Sequence, residues 1–209
     1  RQGACACVDI DFPAAADLAV RYLYDRGHRD VVLLRDNERD YERQSGYVVT
    51  LRRLMLERAA ELGMRVTESA KNEFGRFDAR AFVDSLLGAS PRPTAIISQA
   101  DAETLNMVTR ELENRGIDIP GDISILSCGT FLENELMAHP VTEIPLMPRL
   151  LCSKAMGLLL SAVEGGRAIG AESEFVPPRI EDRGSVRSLN EGTRHEIDGR
   201  AFLSNVLYP

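Results

Sequence analysis

The densest run of chemistry-bearing residues follows a short apolar segment: Arg35, Asp36, Asn37, Glu38, Arg39 and Asp40, with Arg43 just beyond. Two readings are open for it. One is a solvated helix entrance laced with local charge pairs. The other is a ligand site in which the planar fork of Arg43 grips a carboxylate or a hydroxyl pair through two parallel hydrogen bonds. Parallel strands end on one edge in loops and helix N-termini that offer backbone N–H groups and polar side chains, so the loops after Leu34, Ser98 and Leu126 are where a ligand would be held.

No other chemistry has a visible constellation. His28, His139 and His195 are isolated, with no carboxylate or cysteine at ligand spacing, so no metal site is expected. His28 follows Gly27, where a ring can cap the carbonyls of a finished helix. Cys5, Cys7, Cys128 and Cys152 show no CxxC spacing and are expected as buried small hydrophobes in a reducing compartment. There is no serine in a nucleophile elbow and no glycine-rich phosphate loop, since Gly63, Gly75 and Gly88 are spaced as helix stops and turns. Neither catalysis nor a cofactor is expected.

The elements that must position the polar cluster alternate along the chain. The string Gly116-Ile-Asp-Ile-Pro-Gly-Asp-Ile-Ser-Ile-Leu-Ser-Cys128 ends a helix, turns and launches a buried strand, and Ala14–Arg26, Gly27 and Val31–Leu34 repeat that order upstream. Such units predict a parallel sheet of five or six strands flanked by helices. Further helices are predicted over Tyr41–Leu62, Asp78–Leu87, Ala102–Arg115 and Met147–Glu164, and strands over Ala4–Ile10, Arg65–Thr67, Thr94–Ser98, Ile123–Leu126 and Glu174–Val176, with a brief extended piece at Val141–Ile144. Ile96, Ile97, Ile123, Ile125 and Leu126 should be buried on both sheet faces.

Composition limits the partners. With 44% hydrophobic and 27% charged residues the 209-residue chain has room for one sizeable core or two small lobes. A net charge of -7 argues against these residues gripping nucleic acid themselves, so a DNA-reading module is expected outside them. No apolar run is long enough for a membrane helix and Arg1-Gln2-Gly3 opens no signal peptide, which makes the cytoplasm the expected location. The first residue is not Met and a strand begins almost at once, so sequence is expected upstream.

Six strings in order are similar to the effector domain of LacI/GalR-type transcriptional regulators: Val8-Asp9-Ile10-Asp11 with Ala16–Leu23, Arg26-Gly27-His28-Arg29, Arg43-Gln-Ser-Gly46, Pro93-Thr-Ala-Ile96 before Asp101, Gly116-Ile-Asp-Ile-Pro120, and Met156-Gly157. The resemblance covers residues 4–187. It implies an α/β, periplasmic-binding-protein-like fold, with a parallel sheet flanked by helices and two lobes joined by crossing strands, the N-terminal lobe being incomplete here. By that comparison 1–11 is a crossover strand from the N-terminal lobe, 12–140 the C-terminal lobe, 141–166 a returning segment of the N-terminal lobe, 167–187 the last crossover and a C-terminal-lobe strand, and 188–209 a tail. The implied effector-binding set in the cleft is Asp11, Asn37, Arg39, Arg43, Phe74, Asp101, Gly129 and Leu146. Arg43 falls on the family's effector-binding arginine, and Phe74 on its aromatic platform, although a lone Phe also reads as core.

Three departures from the sugar-binding pattern shape the expected ligand. The chain has Ala100-Asp101 where sugar binders have Asn-Asp, Gly129-Thr130 where they have Asp, and Leu146 where a polar residue often stands. A buried hydroxyl without a partner costs about 1–3 kcal/mol, so a small-molecule effector that is anionic or carboxylate-bearing is expected over a neutral sugar. The resemblance implies the sensing and dimerising core of a cytoplasmic regulator, a homodimer reaching operator DNA through a domain not in this chain. The alternative is a solute-binding protein of a transport system. Apolar Leu136-Met137 in a polar loop gives self-association a candidate surface.

Overall fold

A computed structural model of the protein describes residues 6–35, 38–70, 77–129, 137–166 and 173–190. Its strands are β1 (Cys7–Ile10), β2 (Asp30–Leu34), β3 (Arg65–Glu68), β4 (Ala95–Ser98), β5 (Ser124–Cys128), β6 (Thr142–Ile144) and β7 (Ser173–Val176). Between them run helices α1 (Phe12–Asp25), α2 (Glu38–Glu42), α3 (Gly46–Glu61), α4 (Ala79–Gly88), α5 (Ala102–Asn114) and α6 (Pro148–Glu164). Five strands form one sheet in the order β3-β2-β4-β5-β6, every pair parallel, and β1 pairs with β7, also parallel, in a second sheet.

The five-stranded sheet is covered on both faces, and its central strands β2 and β4 carry apolar residues at consecutive rather than alternate positions. Val31 and Leu33 point into one core with Ala16, Val20 and Leu23 of α1 and Leu51 and Met55 of α3. Val32 and Leu34 point into the other with Val83 and Leu86 of α4 and Leu105, Val108 and Leu112 of α5. This is the pattern of a doubly covered parallel sheet. Ile96, Ile97, Ile123, Ile125 and Leu126 are at most 2% exposed, as the sequence predicts.

Local chemistry sets the helix ends. Asp11 accepts a hydrogen bond from Ala14 N at 3.0 Å and so caps α1, while Gly27, at φ +90°, turns the chain out of that helix. The predicted helix Tyr41–Leu62 is two helices. Gln44 sits at φ 55°, with its N–H on Tyr41 O and its side-chain amide on the same carbonyl, and Ser45 N reaches back to Asp40 O. That left-handed stop, with no glycine to announce it, ends α2 and lets α3 restart at Gly46.

The chain's last described segment returns to the main sheet. Ser185 exchanges backbone and side-chain hydrogen bonds with Ile125 and receives Thr142 N on its hydroxyl, and Glu143 forms an antiparallel bridge with Glu181. Thr142–Ile144, assigned from sequence to the returning segment, is instead the edge strand of the five-stranded sheet. Beyond it α6 packs on β1, with Lys154 ion-paired to Glu174 of β7.

Three other expectations change. Cys7 and Cys152 are exposed because they lie on β1 and α6, outside the two cores; of the three described cysteines only Cys128 is buried, with burial pushing its thiol up to about 12, and Cys5 lies outside the described residues. Met137 is 7% exposed and packs in the α4–α5 core, so it offers no surface for self-association, and Leu136 lies outside the described residues. The His28 ring does not cap α1: its backbone N–H does, on Leu23 O, while the ring meets Thr94 Oγ1 at 2.9 Å and Arg187 O at 3.1 Å. Since a carbonyl only accepts, Nε2 carries the proton and Nδ1 faces the threonine hydroxyl.

Candidate functional site

All five strands of the main sheet point their C-terminal ends the same way, so the segments after β2, β4, β5 and β6 lie along one edge. The segment after β2 is built around Tyr41, the one buried residue of α2. Its hydroxyl donates to Gln99 Oε1 at 3.1 Å, and the Arg35 guanidinium lies 4.4 Å from its ring centre. Arg35 in turn binds Glu38 at 3.1 Å and lies 3.7 Å from Glu68, whose carboxylate holds Arg52 through bonds of 2.5 and 2.6 Å. The Glu68 hydrogen bond raises the Arg52 pKa, so both cations are committed to protein carboxylates.

Gln99 joins three elements. Its backbone N–H bonds Leu34 O at 2.9 Å, and its side-chain amide donates to Val48 O of α3 at 3.2 Å. The next residues turn to the edge: Ala100 is buried and Asp101 is exposed, with Oδ1 accepting from Thr104 N at 2.7 Å to cap α5.

The segments after β5 and β6 meet at Gly129. This residue has φ +114°, and a methyl on its Cα would lie 3.6 Å from Tyr47 Cε2 and 3.7 Å from Leu146 Cδ1. An aromatic and an aliphatic side chain thus flank bare backbone. Met147, next to Leu146, has φ 49° and begins α6. Gln44 beside Arg43, Gly129 and Met147 beside Leu146 are all in the left-handed region, and such backbone concentrates where ligands are held.

Of the expected site residues, Gly129 and Leu146 are brought together. Arg39 and Arg43 are exposed on and just after α2, their backbones linked by Arg43 N to Arg39 O at 3.0 Å. Asp101 and Asp11 stand at the starts of α5 and α1, each spending one carboxylate oxygen on its own helix. Asn37 and Phe74 lie outside the described residues. Tyr47, Tyr41 and Gln99 were not anticipated. The one available signal for Tyr41 was an aromatic inside an otherwise polar run; for Gln99 it was an amide directly after an apolar strand. A separate hollow of about 340 Å³ lies between the end of β3 and α4, lined by Thr67, Ser69, Phe77, Phe82 and Leu86 among others, and none of the described expected residues lines it.

Comparison with known proteins agrees with this geometry. Residues 20–186 match the periplasmic binding protein-like domain. The chain is 28% identical over 187 residues to the HTH-type transcriptional repressor CytR of Escherichia coli K12, covering 87% of this chain and 52% of that protein. With the HTH-type transcriptional repressor PurR of Vibrio campbellii it shares 29% over 179 residues, 83% of this chain and 50% of the relative. The chain therefore spans about half the length of these curated relatives. Among solved structures, a LacI family regulator from Enterococcus faecium with bound ribose superposes with TM-score 0.72 at 21% identity, over 91% of this chain and 68% of the other. A LacI family regulator from Arthrobacter in complex with lactose gives 0.69 at 21%, over 86% and 66%. In these the shared feature is the fold. By its sequence match across residues 20–186, and with a doubly covered parallel sheet whose loops converge on one edge, the chain belongs to the periplasmic binding protein-like domain family.

Proposed function

We propose that this chain is the effector-sensing core of a LacI/GalR-type transcriptional regulator, binding a small molecule at the C-terminal edge of the five-stranded sheet. The observation that carries the reading is the meeting of Tyr47, Gly129 and Leu146, which sets two half-buried apolar side chains around a buried glycine at the sheet edge where the Arg39 and Arg43 segment also lies. Occupancy would favour one angle between the two lobes and so change the affinity of a DNA-binding domain elsewhere in the protein. The repressor relatives support a regulator over a transport solute-binding protein or an enzyme, and a cytoplasmic location follows from the same reading.

An anionic or carboxylate-bearing effector is the favoured ligand. Arg35 and Arg52 are matched by Glu38 and Glu68, whereas Arg39 and Arg43 stand exposed, and Ala100 and Gly129 bring no side-chain acceptor to the facing loops. Asn37 and Phe74 are proposed as further members of the site. The second reading is a neutral sugar, favoured by the ribose and lactose bound in two structural neighbours. Calorimetry of the intact protein against ribose, lactose, ribose 5-phosphate and citrate separates them: heat from the anions alone supports the first, and heat from the neutral sugars alone the second. The regulator is proposed to act as a homodimer, since a two-fold operator requires matching symmetry. Light scattering of the intact protein that finds only monomer at micromolar concentration refutes that part.

A further inference from the structure

We infer that Tyr41 and Gln99 are positioning residues that fix α2, and with it Arg39 and Arg43, before any ligand arrives; this rests on the effector-site reading above. A helix of five residues cannot hold itself together in water, because nucleation fixes several residues for a single hydrogen bond. α2 must be held by tertiary contacts, and its single buried side chain is Tyr41, 8% exposed. The hydroxyl of that ring reaches Gln99, whose own side chain is 2% exposed and uses both polar ends: Oε1 accepts from Tyr41 and Nε2 donates to Val48 O.

The anchor is rigid where it needs to be. Gln99 N on Leu34 O extends the β2–β4 ladder one step beyond the strands, so the amide is held by sheet backbone rather than by a loose loop. On the ring's flanks Arg35 lies at 4.4 Å and Arg52 at 6.0 Å, each tied to Glu68. Within the run of charges the labour is therefore divided: Arg35 holds the tyrosine, and the tyrosine holds the turn that bears Arg39 and Arg43. A preset turn spares the ligand the ordering cost that binding would otherwise carry. The Tyr41 hydroxyl and Gln99 amide join residues 58 positions apart, and they couple the segment after β2 to the turn after β4 that Asp101 closes.

The test uses the intact protein with Tyr41→Phe, Gln99→Met and the double variant. Hydrogen exchange of the amides in residues 38–47 is expected to quicken by roughly tenfold in either single variant, with little further gain in the double, while exchange in β4 and β5 is unchanged. Unchanged exchange in residues 38–47, or acceleration spread evenly over the sheet, overturns the proposal, since the latter is the mark of lost global stability. A second arm uses ribose 5-phosphate: Tyr41→Phe should weaken its binding in the native background but add nothing to Arg43→Ala, and full additivity of the two also overturns it. Because exchange is read without ligand, a quickened 38–47 segment in a protein that binds none of the four compounds would remove the effector reading and leave the clamp intact.

Discussion

Arg183 reaches Glu143 with Nη1 2.7 Å from Oε1, a carboxylate whose side chain is only 4% exposed at the edge strand of the sheet. The same guanidinium donates to Val141 O and to Glu181, so one cation fastens residues 181–183 to β6. Replacing Arg183 by Met would leave the buried carboxylate without its cation. The expected loss is about 3 kcal/mol of unfolding free energy in urea titrations, the usual scale for breaking a buried pair from one side. A loss below about 1 kcal/mol would show that Glu143 is satisfied without it.

His28 should give the protein an acid-side weakness. Burial lowers its pKa from 6.5 to about 4, so between those values the unfolded chain binds a proton that the folded chain refuses. Stability is full above pH 6.5 and falls as the pH drops toward 4, by up to about 3 kcal/mol. Urea midpoints at pH 7, 5.5 and 4.5 should show this slope, and His28→Gln should lack it. An equal slope in both proteins would assign the acid loss to other groups.

Gly129→Ala tests the backbone at the site. The added methyl meets only ordinary contacts at 3.6 and 3.7 Å, so φ +114° alone sets the cost, about 1–3 kcal/mol for a side chain held there. Thermal unfolding should reveal that loss. A neutral outcome would mean that the segment after β5 can change its path.

Arg43→Ala should weaken effector binding by about 1.5–3 kcal/mol, the scale of charge-assisted hydrogen bonds, and leave folding stability nearly unchanged because the residue is exposed. Calorimetry with the tightest-binding compound of the panel reads it. Equal affinity in the variant would take Arg43 out of the site.

The sheet was legible because its signal is local: runs such as Val31–Leu34 and Ala95–Ile97 are apolar at consecutive positions, and Gly27 and Gly116 mark helix stops with φ of +90° and +70°. The break between α2 and α3 was not, because Gln44 adopts a glycine-like φ for reasons set by Tyr41 O and Asp40 O rather than by its type. Cys7 and Cys152 were misjudged because a strand or helix pattern says which residues share a face and not whether anything covers it. Within the candidate site, the arginines could be picked out by type, whereas the Tyr41–Gln99 pair could not. Nothing in either local stretch points to a partner 58 residues away.

The pairing of β1 with β7 joins the first and last of the described strands, whereas β2, β4 and β5 are neighbours made from successive strand–helix units. Closing so long a loop costs conformational entropy that only a late contact can recover, while the neighbouring units close short ones. The main sheet can therefore assemble early and serve as the template on which the terminal strands meet. Synthesis imposes the same order, since β7 leaves the ribosome after the other described strands. The second sheet, which ties the start of α1 to the chain that leads on to Ser185, thus acquires its register after the strands of the main sheet and is lost with any truncation that removes β7.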